Sequence, residues 1–140
     1  MKSLKLKKAF TLVEILLAVF ILEIGLLGIA SFYTYSFRVT KIARNQTIAS
    51  NLASGLLDDE SAIAYDNLQV LAGSREKYSA IEGDPFYNWD KKIDISYIDS
   101  NLVESYSGPD TNMKKILVTI FWQEYGHEKS FQTATIKAKH

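Results

Sequence analysis

Between Phe10 and Phe37 the chain reads FTLVEILLAVFILEIGLLGIASFYTYSF, apolar or small throughout except at Thr11, Glu14, Glu23, Ser31, Thr34 and Ser36. No other feature limits the possible folds as much. As a helix, the run reaches about 42 Å at about 1.5 Å per residue. The hydrocarbon layer of a bilayer is about 30 Å thick, so the run can cross it and still protrude. A secretory signal peptide has an apolar core of about 7–15 residues and then a small-residue cleavage site. This run is too long for that, and a helical pattern continues beyond Phe37. A plain single-pass anchor fits the length but leaves Glu14 without a reason. A charge at mid-bilayer costs at least about 2.5 kcal/mol on insertion scales, so it needs a partner.

The flanks set an orientation. Lys2, Lys5, Lys7 and Lys8 precede the run, and an acidic body follows it. Basic residues on one side are expected to keep that end in the cytoplasm and send the rest outside. The whole chain carries sixteen basic and sixteen acidic residues, but without the four leader lysines twelve face sixteen, a net charge of −4. That argues against nonspecific nucleic-acid binding, and no nucleic-acid partner is expected. The chain has no cysteine. Disulfides, thiolate metal sites and cysteine nucleophiles are therefore excluded, and an exported domain has to rely on core packing.

The segment KKAFTLVE, residues 7–14, resembles the cleavage and methylation signal of type IV prepilins and the related pseudopilins. The resemblance implies that a prepilin peptidase and methyltransferase cuts between Ala9 and Phe10 on the cytoplasmic face and N-methylates Phe10. Glu14 becomes the fifth mature residue, the family's glutamate, whose carboxylate meets the N-terminal amine of a neighbouring subunit during assembly. The physics is consistent: in a low dielectric a lone carboxylate is costly, and one opposite an ammonium is largely compensated. One departure is that the family usually has glycine before the cut, where this chain has Ala9. Alanine is the nearest substitute in size, and processing is expected to continue, more slowly.

Glu23 lies nine residues beyond Glu14. At about 100° per residue the two fall on opposite helix faces, about 13 Å apart along the axis. Two readings stand: a second buried contact that selects a particular partner subunit, or a tolerated carboxyl group carried uncharged. Gly25 and Gly28 follow and allow close helix approach or soften the helix. The stretch EIGLLGIA, residues 23–30, is similar to the same region of minor pilins of the pilus-modification type.

Beyond the run, Arg38, Lys41 and Arg44 recur at three-residue spacing, as a lipid-headgroup contact or a solvated face. Ile42, Ile48, Leu52 and Leu56 then mark one helical face. Ala43, Ala49 and Ala53 support helix, and Gly55 with Asp58, Asp59 and Glu60 predicts an end near residue 58. Residues 61–73 suggest a short helix, and EGDPFYNWD, residues 82–90, a turn. KKIDISYID, residues 91–99, alternates, with Ile93, Ile95 and Tyr97 on one face and Asp94, Ser96 and Ile98 on the other. A loop over 100–112 leads to KKILVTIFWQ, residues 114–123, rich in β-branched and aromatic residues. EYGH turns the chain into the returning strand 128–138. The expected fold is α+β and pilin-like: a leader over 1–9, a membrane or filament-core helix over 10–37, its outer half over 38–58, and a head over 59–140 with a small antiparallel sheet.

No catalytic constellation stands out, and neither an enzyme nor a cofactor is expected. His127 reads as a solvated turn histidine between Glu124 and Glu128, and His140 is terminal. Asp58, Asp59, Glu60, Asp84 and Asp90 lack the dense oxygen spacing of a calcium loop, so no metal site is predicted. Phe86, Tyr87 and Trp89 near Pro85 read as core, or as a partner surface. The expected role is a minor type IV pilin in a bacterial inner membrane, then in a pilus or its tip complex. Its expected partners are the peptidase, other pilin subunits through the helix, and inner-membrane lipid before assembly. A minor pseudopilin of a type II secretion system, or a membrane-anchored binding protein such as a DNA-uptake receptor, are the alternatives.

Overall fold

The computed structural model describes residues 10–139. The basic leader with Ala9, and His140, lie outside the described residues. Helix α1 runs over Leu12–Ala62, followed by a 3-10 turn at Tyr65–Asn67 and strands β1 (Glu76–Lys77), β2 (Asp90–Ile98), β3 (Glu104–Ser105), β4 (Met113–Glu124) and β5 (His127–Ala138). The strands form one antiparallel five-stranded sheet in which β2, β4 and β5 are the main members. The arrangement is α+β, a long N-terminal helix with its later part packed on a small sheet. The chain divides between Lys41 and Ile42 into two units, the first helical and the second comprising the end of α1 and the sheet.

In the second unit the helix meets the sheet along a stripe. Ala49 and Ala53 are fully buried, flanked by Leu52, Leu56 and Leu57, and they pack against Ile95, Ile116, Val118, Ile120 and Trp122. The stripe follows the helical period, as the spacing of Ile48, Leu52 and Leu56 predicts. Its centre is the alanines, however, because small side chains let the helix backbone come close to the strands. Ile42 is exposed and takes no part in this core. Full burial of Ile116, Val118 and Ile120 is worth about 1.5–3 kcal/mol for each side chain.

The helix ends at Ala62, past the expected end near residue 58. The three acids of its final turns oppose the helix dipole, and no basic residue lies in its last turn. The missing cation arrives from β5. The Lys137 ammonium donates to Ser61 O at 2.6 Å and also to Ile63 O. The expected short helix over 61–73 is reduced to the 3-10 turn, because the following residues are held by tertiary bonds. Lys114 Nζ donates to Tyr65 O at 2.9 Å and Leu68 O at 2.7 Å. Leu71 and Ile95 exchange two backbone bonds of 2.8 Å.

That contact begins the covering of the free edge of β2. Leu71 pairs with Ile95, and Glu76 with Lys91. Between these pairs four residues (72–75) oppose three (92–94), so the edge segment contains a bulge. Gly73 lies within it, where an added Cβ would stand 1.9 Å from Ile93 O. Its N–H donates to Asp94 Oδ1 at 3.0 Å, and Lys92 Nζ reaches Asp94 Oδ2 at 2.8 Å. Asp94 is buried with these partners, and Ser96 Oγ donates to Glu104 Oε2 at 3.3 Å; both are buried although alternation alone places them on a polar outer face. β3, inside the expected loop, pairs with Tyr97 and Ile98 on the same edge. The β4–β5 hairpin closes through Tyr125 (φ 50°) and Gly126 (φ 80°), the two positive φ values of a type I′ turn.

Candidate functional site

In the first unit every residue from Phe10 to Lys41 is exposed, and the apolar surface runs all round the helix. A helix apolar on every side requires an apolar surrounding, either a membrane or other helices. Among the described residues α1 is the one helix long and apolar enough to cross a membrane.

Thr11 starts it. The Glu14 N–H donates to Thr11 Oγ1 at 3.3 Å and to Thr11 O at 3.1 Å, and the Ile15 N–H donates to Thr11 O at 3.2 Å. Thr11 is thus the N-cap and Glu14, the third helical residue, gives its N–H to that cap. A carboxylate in the first turn also faces the positive end of the helix dipole. The Thr11 cap is legible in the Thr-Leu-Val-Glu spacing.

The remaining polar side chains of the run divide into two groups. Ser31 Oγ donates to Leu27 O at 2.9 Å, and Thr34 Oγ1 to Ala30 O at 3.1 Å. Hydroxyls bonded to the carbonyl four residues back expose no unmet donor to an apolar medium. The carboxylates of Glu14 and Glu23 have no hydrogen-bond donor and no ion-pair partner among the described residues. They are the two carboxylates of the run, and a partner for either has to come from outside the helix.

Their surroundings differ. Glu14 borders a shallow depression shared with Phe10, Ile15, Ala18, Val19 and Leu22. At about 100° per residue, Ala18, Gly25 and Gly28 fall on the Glu14 face. A Cβ added at either glycine would meet nothing within 4 Å, so this face is open to close approach. Glu23 occupies the opposite face, in a depression with Leu26, Leu27 and Ala30. Ala9, on the leader side of the expected cleavage bond, lies outside the described residues. Phe10, on the other side of that bond, is exposed just before the helix.

The second unit places the remaining candidates in structural roles. Phe86 and Trp89 belong to an aromatic cluster in which Trp89 stacks on Trp122 at 5.3 Å and Phe86 lies edge-on to Trp89 and Tyr78. Lys77 Nζ lies 5.6 Å from the Tyr87 ring centroid. Asp90 pairs with Arg75 at 2.7 Å and Lys77 at 3.3 Å, and Asp84 accepts the Phe86 N–H at 2.7 Å. His127 is exposed at the start of β5. Among the described residues no three His, Asp or Glu side chains gather where they could hold a metal ion. Tyr65 donates its hydroxyl to Asp110. Burial and this bond hold the phenol well above its ordinary range, and the same bond holds the Asp110 carboxyl low.

Comparison with protein-family models, curated proteins and solved structures finds no match to this chain.

Proposed function

We propose that this chain is a minor pilin of the pilus-modification kind, a structural subunit of a type IV pilus or its tip complex. A prepilin peptidase and methyltransferase removes residues 1–9 at the cytoplasmic face of the inner membrane and methylates the Phe10 amine. The helix then crosses the membrane once, with the sheet-bearing unit outside. During assembly it enters a filament core made of similar helices. One observation carries the reading: Phe10-Thr-Leu-Val-Glu14 opens an apolar helix whose carboxylates have no partner of their own. A terminal ammonium from a neighbour offsets the cost of the Glu14 carboxylate at one axial stagger, which is what a helical filament requires. The small residues beside Glu14 let the neighbour's backbone approach. A minor pseudopilin of a type II secretion system has the same requirements, and neighbouring genes distinguish the two.

The test is intact mass spectrometry of the membrane-extracted protein, with and without coexpressed prepilin peptidase. The expected result is a species beginning at N-methylated Phe10 that forms only with the peptidase. A chain that still begins at Met1, or is cut elsewhere, refutes the proposal.

A further inference from the structure

Glu23 stands at the centre of the apolar run, thirteen residues after Phe10 and fourteen before Phe37. Its carboxylate has no partner among the described residues, whereas Ser31 and Thr34 satisfy their hydroxyls within the helix. A polar group left open at that depth is costly in lipid and is stabilised by an opposite charge.

Both carboxylate faces mix small and large side chains: Ala18, Gly25 and Gly28 share the Glu14 face with Ile21 and Phe32, and Ala30 shares the Glu23 face with Leu16, Val19 and Leu27. Leu16, Val19 and Leu27 are each more than two-fifths exposed. A cationic group that passes them to reach the Glu23 carboxylate arrives on a long side chain. Lysine and arginine are the cationic side chains of that length. This chain cannot provide one, because it has no Lys, Arg or His between Phe10 and Phe37. A second copy at the same depth brings its own Glu23 carboxylate and apolar neighbours, and no cation.

We propose that Glu23 binds a lysine or arginine carried at mid-span by a membrane helix of a different protein. Glu14 then meets the amine of a fellow subunit and Glu23 a heterotypic partner. The proposal rests on the reading of residues 10–37 as a membrane-crossing helix.

The chain lacks cysteine, so Ser36→Cys gives a single site for a donor dye. The full chain is reconstituted into phosphatidylcholine vesicles and titrated with acceptor-labelled Leu/Ala helices that carry either Lys or Leu at the central position. Energy transfer is expected to show about tenfold tighter association with the central-Lys helix, from the scale of polar helix contacts in membranes. Glu23→Leu brings the two helices within about twofold of each other, and Glu14→Leu keeps the preference. Equal binding of both helices by the inserted wild type, or a preference that survives Glu23→Leu, overturns the proposal. Weaker self-association of differently labelled Glu23→Leu copies, relative to wild type, overturns its heterotypic part. Protease protection is scored on the same vesicles. If the chain does not span the bilayer, the membrane reading fails and the proposal with it. A spanning chain without Lys preference sinks the proposal alone.

Discussion

Lys114→Met tests the physical account of the head most directly. Lys114 is only 5% exposed. Its ammonium donates to Tyr65 O at 2.9 Å and Leu68 O at 2.7 Å, and it lies 4.2 Å from the Tyr65 ring centroid. These bonds fix the segment that carries the chain from α1 to the edge of β2. Methionine fills similar space but cannot donate. Tyr65 O retains the Leu68 N–H at 3.2 Å, while Leu68, 2% exposed, has little route to water for its carbonyl. An orphaned buried carbonyl costs about 1–3 kcal/mol, and loss of the cation–π contact adds about 1–2 kcal/mol. Relief from burying an ammonium opposes both terms. Because the acceptors are neutral, no uncompensated charge remains, and the net loss is expected to be about 2–3 kcal/mol. With a urea slope of about 1–1.5 kcal/mol/M for a unit of this size, the midpoint should fall by about 1.3–3 M. Both tryptophans lie in this unit and stack on each other, so their fluorescence reports its unfolding in the full chain held in detergent. A midpoint within about 0.3 M of wild type, or above it, would refute the reasoning. It would mean that burying the ammonium costs as much as its bonds return.

Three further outcomes are expected. Gly73→Ala should destabilise the head by about 2 kcal/mol or more, because its Cβ would stand 1.9 Å from Ile93 O; an unchanged urea midpoint would show that the edge segment moves aside freely. Head stability should be level at neutral pH and fall as pH drops below about 4.5, because the Glu104 carboxyl is held low by Lys115 and the Asp110 carboxyl by Tyr65. Groups with depressed native values contribute above their unfolded values of 4.5 and 3.8 and lose that contribution as pH falls through the native ones; the acid slope in urea titrations should flatten in Glu104→Gln/Asp110→Asn. Glu14→Gln keeps the side chain's length and hydrogen-bonding ability but removes the charge, so it should reduce filament incorporation as strongly as Glu14→Val while both variants still insert; incorporation of Glu14→Gln at the wild-type level in sheared filament fractions would show that assembly does not depend on the charge.

The parts of the fold readable in the sequence depend on local periodicity. Residues 10–37 have to be a helix in an apolar surrounding, because a run of that length and composition has no other low-cost state. The β4–β5 hairpin follows from β-branched and aromatic alternation on either side of Tyr125-Gly126, which accepts two positive φ values. Glu14 and Glu23 stand out in the sequence as carboxylates within an apolar run.

What periodicity could not give was set by groups distant in sequence. The end of α1 is fixed by Lys137 donating to Ser61 O and Ile63 O across 76 and 74 residues, and the local acids argue for an earlier stop. The fate of residues 63–71 is decided by Lys114 and by the pairing of Leu71 with Ile95. Alanine 49 and alanine 53 read as helix formers, yet they form the contact surface, because how closely a helix approaches a sheet depends on both surfaces together. Burial of Asp94 follows from the bulge at Gly73, which two-residue alternation cannot anticipate. By itself the sequence determined the apolar helix, its two carboxylates and the terminal hairpin, because each is specified by neighbours within a few residues. Only the tertiary structure decided where the helix stops, which face it buries and how the β2 edge is closed, because those depend on charges and backbone groups that folding alone brings together.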